Sequence, residues 1–561
     1  MKSGAYKYIR PEPFWVQLLN AGALKKADCL YKGCFINTYL RNIFKIITDM
    51  KKYPIGIQTF SEIIQGGYVY VDKTRLIHQL ITSGKYYFLS RPRRFGKSLL
   101  LSTIEEIFNG SKELFGGLWI EGQWDWEQKH PVIHISFSDI GVATLGMTNA
   151  IFNTLKQNAD RLGIVLEATA IDQQFAELIR KAAGKGKVVI LIDEYDKPVI
   201  DYLDNIPLAE ANRIVMRNFY SVVKGSDAYI QLLLITGVSR FSKVSIFSDL
   251  NNLEDITITE TMNDITGITQ EELEHNFKEE LLALAQKENI SPEAMKEKVK
   301  RWYNGYSWGG ENTLYNPFSV LSLMKQKRFS NFWFQTGTPT ILVTLMRKAN
   351  EYQFEQAQVS EDVLSSSNID RPLSPALLFQ TGYLTIKGYN TITRNYLLDY
   401  PNQEVADSFL DNLLSAYREV FPGNSSETTG NLLVTLLDND LPQMIKALNG
   451  LIASIPYDHW RADHESIFHI IMHLAFRKVG VDTESEVHSS KGRCDVLIKT
   501  GTHIYAMELK LDKTAREALD QIIEKKYLQP YQSDPRQKVA IGINFSSEKR
   551  EIEEWLVEER N

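Results

Sequence analysis

Between residues 53 and 265 short apolar runs alternate with longer amphipathic stretches. The runs at 86–89, 132–137, 188–192, 232–236 and 256–259 are rich in β-branched and aromatic residues and too short for helices. Helical stretches separate them. Such alternation predicts a parallel sheet with helices on both faces. The pattern then changes. Thr269 with Glu272 reads as a capping box, and helical spacing continues to Lys300. Residues 382–386 and 396–398 read as a hairpin, so a mostly helical, winged-helix-like lid is expected over 266–402. Residues 403–455 read as a helical linker. The last stretch, 456–561, opens with an amphipathic helix around Ile467, Phe468, Ile471 and Leu474, followed by strands at 495–498 and 504–510 and a helix through Gln521. Residues 1–49 show no clear period. Met50 opens a phrase that reads like a natural start, which makes 1–49 an expected upstream extension and 50–265 the first domain.

The first strand runs into Arg91-Pro92-Arg93-Arg94-Phe95-Gly96-Lys97-Ser98, and Leu99, Leu100, Leu101 and Ile104 follow at helical spacing. Strand, tight loop with Gly-Lys-Ser and then helix is the context of a phosphate-binding P-loop. Backbone N–H groups at the helix start face the phosphates, and the helix dipole favours their charge. Arg94, Phe95 and Gly96 belong to the expected nucleotide-binding loop. Lys97 would reach the β- and γ-phosphates, and Ser98 would offer its hydroxyl to Mg²⁺. The first glycine of the full motif falls on Arg91. A second apolar strand ends in Asp193-Glu194, suited to hold hydrated Mg²⁺ and to orient the attacking water. A third ends in Thr236, a candidate γ-phosphate sensor, with Arg240 close behind. Arg240 could stabilise transition-state charge, and a salt-bridged loop arginine is an equal alternative.

A chain of 561 residues exceeds one ordinary core, and 43% hydrophobic residues suit folded domains. A net charge of -6 excludes nucleic-acid binding by bulk charge but leaves room for a local basic channel. Cys29, Cys34 and Cys494 are the 3 cysteines, too few for a closed disulfide framework, so a cytoplasmic location is expected. No membrane-spanning run, signal-peptide core or internal repeat is present. His469 and His473 share a helix face, but Ile470 stands where a zinc-binding H-E-x-x-H motif needs glutamate.

Near the C-terminus Glu508 and Lys510 are two residues apart, which puts both on one strand face. Asp495 on the neighbouring strand can bring its carboxylate beside Glu508. Two carboxylates and a lysine on adjacent strands can hold Mg²⁺ and polarise a water.

Tyr70-Val71-Asp72-Lys73-Thr74, the loop at 91–98, Asp193-Glu194-Tyr195-Asp196 and Asn251-Asn252-Leu253 together resemble the AAA-ATPase-like family of prokaryotes. Further phrases of that family are Trp302-Tyr303-Asn304-Gly305-Tyr306, Tyr315-Asn316-Pro317-Phe318 and Phe334-Gln335-Thr336-Gly337-Thr338-Pro339. Their aromatics are read as a core packed around turns in preference to base-stacking platforms. The resemblance includes arginine at position 91 and implies ATP and Mg²⁺ as cofactors.

Gly492-Arg493-Cys494-Asp495, Glu508-Leu509-Lys510 and Ala518 with Gln521-Ile522 resemble the PD-(D/E)xK nuclease superfamily. Cys494 replaces the motif's proline. This implies a restriction-endonuclease-like α/β domain in which Asp495 and Glu508 bind metal, Lys510 assists hydrolysis, and Glu465 and Gln521 support the site. The expected whole is an ATPase fused to a nuclease that acts on nucleic acid, DNA ahead of RNA, with a homo-oligomer allowed. The alternative is an ATP-dependent scaffold whose last domain binds nucleic acid or protein without cutting.

Overall fold

A computed structural model describes residues 51–560 apart from 139, 204, 241–245, 248–249, 251, 310–312, 335–341, 344–345, 348–351, 353, 366–374, 419–425, 454–464, 479–481 and 490–491. The expectation for residues 1–49 therefore falls outside the described residues, as do Cys29, Cys34, Asn251 and the phrase at 335–339. Tyr53–Asn561 forms one compact unit. Among the described residues no helix is long and apolar enough to cross a membrane.

The strands and longer helices of the first region are α1 (Phe60–Gln65), α2 (Thr74–Ser83), β1 (Tyr86–Ser90), α3 (Lys97–Asn109), β2 (Val132–Ser136), α4 (Met147–Leu162), α5 (Ile171–Ala182), β3 (Val188–Asp193), α6 (Ile206–Gly225), β4 (Ile230–Gly237) and β5 (Glu254–Asp255). The strands lie in the order β2-β3-β4-β1-β5, and every pair is parallel. Successive side chains on a strand point to opposite faces. Phe88, Ile190, Ile192, Leu233 and Ile235 accordingly pack with Ile151, Phe175 and Phe219 of α4–α6. Tyr87, Leu89, Leu191 and Leu234 pack on the other side with Leu80 of α2 and Leu100 and Ile104 of α3. Both faces are covered, and the strands read as continuous apolar runs for that reason.

One expected strand is corrected. Pairing with β1 involves Glu254 and Asp255 in place of 256–259. Asp255 accepts the N–H of Thr257 at 2.9 Å, which turns the chain, and the Thr257 hydroxyl then takes the N–H of Ser90 at 3.0 Å. A side chain replaces the next ladder bond.

The middle region starts with α7 (Gln270–Asn276), α8 (Lys278–Glu288), α9 (Pro292–Tyr303) and α10 (Pro317–Gln326). The Thr269–Glu272 capping box opens α7. Tyr303 and Tyr315 are 0% exposed within this helical core, and Tyr306 is 1% exposed in an adjoining one, so these aromatics are core residues. Then come β6 (Ala357–Ser360), α11 (Glu361–Ser365), α12 (Pro375–Thr381), β7 (Thr385–Asn390) and β8 (Asn395–Asp399). The sheet order β6-β8-β7 with two helices between its first two strands is winged-helix-like, and β7–β8 is the expected hairpin.

Residues 403–455 hold α13 (Gln403–Arg418), α14 (Ser426–Leu437) and α15 (Leu441–Ala453). Phe409, Leu413, Met444 and Leu448 lie in one apolar cluster with Ile471, Val496 and Met507 of the last domain. These helices pack against the sheet and first helix of the last domain. It continues with α16 (Glu465–Lys478), β9 (Asp482–Ser489), β10 (Gly492–Lys499), β11 (His503–Leu511), α17 (Ala515–Lys525), β12 (Gln537–Ser546) and β13 (Glu551–Arg560). The sheet order is β13-β12-β11-β10-β9, with only β11–β12 parallel and α17 as their crossover.

Candidate functional site

Two candidate sites stand out, one at the strand ends of the first sheet and one on two neighbouring strands of the last. The first is built on β1, β3 and β4. Gly96 takes φ +88 at the start of α3, a conformation that favours glycine, and Arg94 precedes it at φ +68. This bend wraps the loop around the helix N-terminus. Lys97 is 5% exposed and donates to the carbonyls of Arg91 and Pro92 at 2.9 and 3.1 Å. Burial pulls its ammonium below the ordinary lysine range, and the negative Asp193 opposes that. Asp193 gathers the site. Its Oδ2 accepts from Ser98 Oγ at 2.5 Å, and its Oδ1 accepts from Thr236 Oγ1 at 2.6 Å and from Glu194 N at 3.0 Å. Glu194 stands at φ +51, and its Oε2 accepts from Ser138 Oγ at 2.8 Å.

Three loop residues have other tasks. Arg91, 0% exposed, donates to the carbonyls of Ser90 and Thr257 at 2.9 Å and stacks 4.2 Å over Trp308. Arginine in place of the motif's first glycine thus ties the loop to the middle region. Phe95 is buried edge-on against Tyr306 and Trp308. The Arg94 guanidinium lies 5.1 Å from the Phe318 ring. Arg240 is not in the hydrogen-bonded set around Asp193. It is ion-paired with Asp255, and its backbone N–H is held by Gln380 Oε1 at 2.9 Å.

Asp196 ends the Asp193–Asp196 phrase and carries no role that the sequence assigns. It is 1% exposed, and its carboxylate takes the N–H groups of Val238 and Ser239, which fixes the chain leaving β4. Burial pushes its carboxyl up. Ser138 had no sequence signal at all. A cavity of about 90 Å³ opens beside Gly96 and Leu99, with Val69, Val71 and Pro317 in its mostly apolar wall. Thr266 also lines it, and its buried hydroxyl finds no hydrogen-bond partner among the described residues.

The second site sits on β10 and β11. The antiparallel register pairs Val496 with Met507, so Asp495 and Glu508 are next in line across the two strands. Asp495 Oδ2 accepts the N–H of Leu509 at 2.8 Å. Glu508 is 1% exposed and receives Lys510 Nζ on Oε1 at 2.9 Å. Gln521 donates to the same oxygen, and its amide also reaches Tyr527 Oη at 3.2 Å. Burial, and then the charge of Asp495, push the Glu508 carboxyl up to about 7. Its Oε2 is buried with no hydrogen-bond partner among the described residues. Gly542 lets α17 come this close, since a Cβ there would stand 2.3 Å from Ala515 O. Cys494 is buried beside the pair, and burial raises its thiol.

Glu465 begins α16, but its side chain and that of His469 lie outside the described residues. His473 is 1% exposed, and burial drives it down to about 3, so it is a neutral core residue. Among the described residues no group of three or more His, Cys, Asp and Glu side chains is placed to hold a metal ion. Asp495 and Glu508 are two carboxylates with one orphaned buried oxygen, a donor set that fits a hard divalent cation.

A family model described as predicted AAA-ATPase matches residues 54–247, and one for the PD-(D/E)XK nuclease superfamily matches residues 463–555. A curated relative, an uncharacterized protein in the vnfD 5' region of Azotobacter chroococcum mcd 1, is 39% identical over 523 residues, which cover 91% of this chain and 99% of the relative. The chain belongs to the AAA-ATPase-like family, in the form that carries a PD-(D/E)XK nuclease superfamily domain at its C-terminal end.

Proposed function

We propose that the protein is a nucleotide-hydrolysing P-loop ATPase whose C-terminal domain cuts nucleic-acid phosphodiester bonds under nucleotide control. The observation that carries this reading is Glu508, a buried carboxylate with one free oxygen, set beside Asp495 and bonded to Lys510 and Gln521. Side chains chosen for stability alone rarely bring two carboxylates together in a buried place, because like charges and burial both oppose ionisation.

In the ATPase the loop at 91–98 receives the phosphates, and Lys97 neutralises part of their charge. Ser98 and Asp193, already bonded to each other, would hold Mg²⁺, which lends charge to the departing phosphate. Glu194 orients the attacking water once Ser138 lets it go. Thr236 ties Asp193 to β4 and so senses what the carboxylate holds. Arg240 stabilises transition-state charge only when its pair with Asp255 opens. The cavity behind Gly96 seats the base, with the Thr266 hydroxyl as its polar contact.

In the nuclease Asp495 and Glu508 would hold Mg²⁺, which supplies Lewis acidity toward the phosphate. Lys510 neutralises charge that grows on the scissile group, Gln521 fixes the Glu508 carboxylate, and Glu465 supports the site from α16. DNA is the expected substrate ahead of RNA. Cleavage measured with Mg²⁺ or Mn²⁺, with and without ATP, tests the proposal.

A further inference from the structure

The middle region touches the phosphate loop at Pro92 and Arg93. Trp333 donates its indole N–H to Arg93 O at 3.0 Å. Gly382, at φ +91, lies so close that a Cβ on it would stand 2.7 Å from Pro92 Cβ and Cγ. Two residues earlier Gln380, 2% exposed, accepts the Arg240 N–H at 2.9 Å and donates to Leu364 O at 3.2 Å. The segment 380–382 therefore meets both the phosphate loop and the chain leaving β4.

Lys97 gives this contact a second state. Its amine donates to the carbonyls of Arg91 and Pro92. A phosphate chain seated in the loop claims the same amine. The ammonium has three N–H groups and the two carbonyls use two, so a seated phosphate takes the third and draws the amine toward itself, away from Arg91 and from Pro92, the residue that Gly382 abuts.

On the far side the contact leads into packed core. Leu378 and Phe379 of α12 and Trp333 share one apolar cluster with Phe409 and Leu413 of α13, Ile471 and Leu474 of α16, and Val496, Met507 and Leu509 of β10 and β11. Val496, Met507 and Leu509 are the chain neighbours of Asp495 and Glu508. Close-packed interiors pass strain on and do not absorb it.

We infer that Trp333 and the segment 380–382 form a nucleotide-sensing contact that transmits occupancy of the phosphate loop through α13 and α16 to the carboxylate pair. This rests on the loop being a nucleotide site, and it does not require the last domain to cut. Hydrogen exchange of the full chain, with and without saturating ADP, tests it. In the wild type, ADP changes exchange over 91–109, 375–384 and also 465–478 and 494–511. Trp333→Phe keeps the ring and removes the N–H, and Gly382→Ala presses a methyl into Pro92. Each is expected to bind ADP and to keep the change over 91–109 but lose it over 465–478 and 494–511. The inference is overturned if the wild type binds ADP with no change beyond residue 384, or if both variants keep the remote change in full. Loss of ADP binding in Trp333→Phe also overturns it, because Trp333 would then build the site and not read it. A wild-type chain that binds no ADP overturns the nucleotide reading, and this one with it.

Discussion

Thr236 Oγ1 lies 2.6 Å from Asp193 Oδ1, and this bond joins the tips of two adjacent parallel strands, β4 and β3. The other oxygen of the same carboxylate holds Ser98 at the start of α3. Three elements far apart in sequence meet on one side chain.

Lys97→Ala removes the ammonium that the proposed nucleotide phosphates would meet. Loss of a hydrogen-bonded charge on the phosphates costs about 2–3 kcal/mol, roughly a hundredfold in affinity. Calorimetric titration with ADP checks it, and wild-type affinity in the variant would remove Lys97 from the site.

Glu194→Gln keeps the size of the side chain and its bond from Ser138. ATP affinity is expected to stay near wild type while turnover falls by about a hundredfold or more, as for loss of a general base. Equal loss of affinity and turnover would assign Glu194 to binding instead.

Much of this was legible in the sequence because it depended on period and adjacency. Apolar runs gave four of the five strands of the first sheet, Gly96, Lys97 and Ser98 fell at the start of the helix after β1, and Asp193 and Thr236 fell at strand ends. What stayed hidden depends on tertiary contact. Arg91 stands where the full motif has its first glycine, and the sequence does not show that its guanidinium lies on Trp308. Arg240 reads equally as a transition-state cation and as a salt-bridged loop residue until Asp255, fifteen residues on, meets it. Ser138, Gln380 and Thr266 are ordinary polar residues in sequence, and only burial and partners give them meaning. The short fifth strand was misplaced because the Thr257 side chain, not the backbone, continues the bonding.

Metal binding at the second site should depend on pH with a definite sign. The Glu508 carboxyl is held up to about 7 in the folded chain, against an ordinary value of 4.5. Between those values the unfolded chain has released its proton and the folded chain has not. This group therefore lowers folding stability as pH rises from about 4.5 to 7 and changes nothing further above that. A cation must displace the same proton, so Mn²⁺ affinity is expected to rise with pH up to about 7 and then level off. Glu508→Gln should weaken Mn²⁺ binding and flatten the profile, as read by calorimetry at several pH values.

Gly542 is the packing floor of that site. Gly542→Val drives side-chain carbon into Ala515 O and Leu519 N, so α17 must lift and Gln521 with it. Overpacking of this kind costs about 1–3 kcal/mol. A lowered thermal midpoint together with weaker Mn²⁺ binding is expected, and an unchanged midpoint would show that the helix yields freely.

Asp495, Glu508 and Lys510 are proposed to cut phosphodiester bonds. The most direct test is cleavage of single- and double-stranded DNA and RNA by the full chain with Mg²⁺ or Mn²⁺, with and without ATP, beside Glu508→Ala and Lys510→Ala. Metal-dependent cleavage by the wild type is expected, with none by Glu508→Ala and slowed cleavage with metal binding retained by Lys510→Ala. Wild-type cleavage by Glu508→Ala, or no cleavage by the wild type under any metal and nucleotide condition, would contradict the proposal.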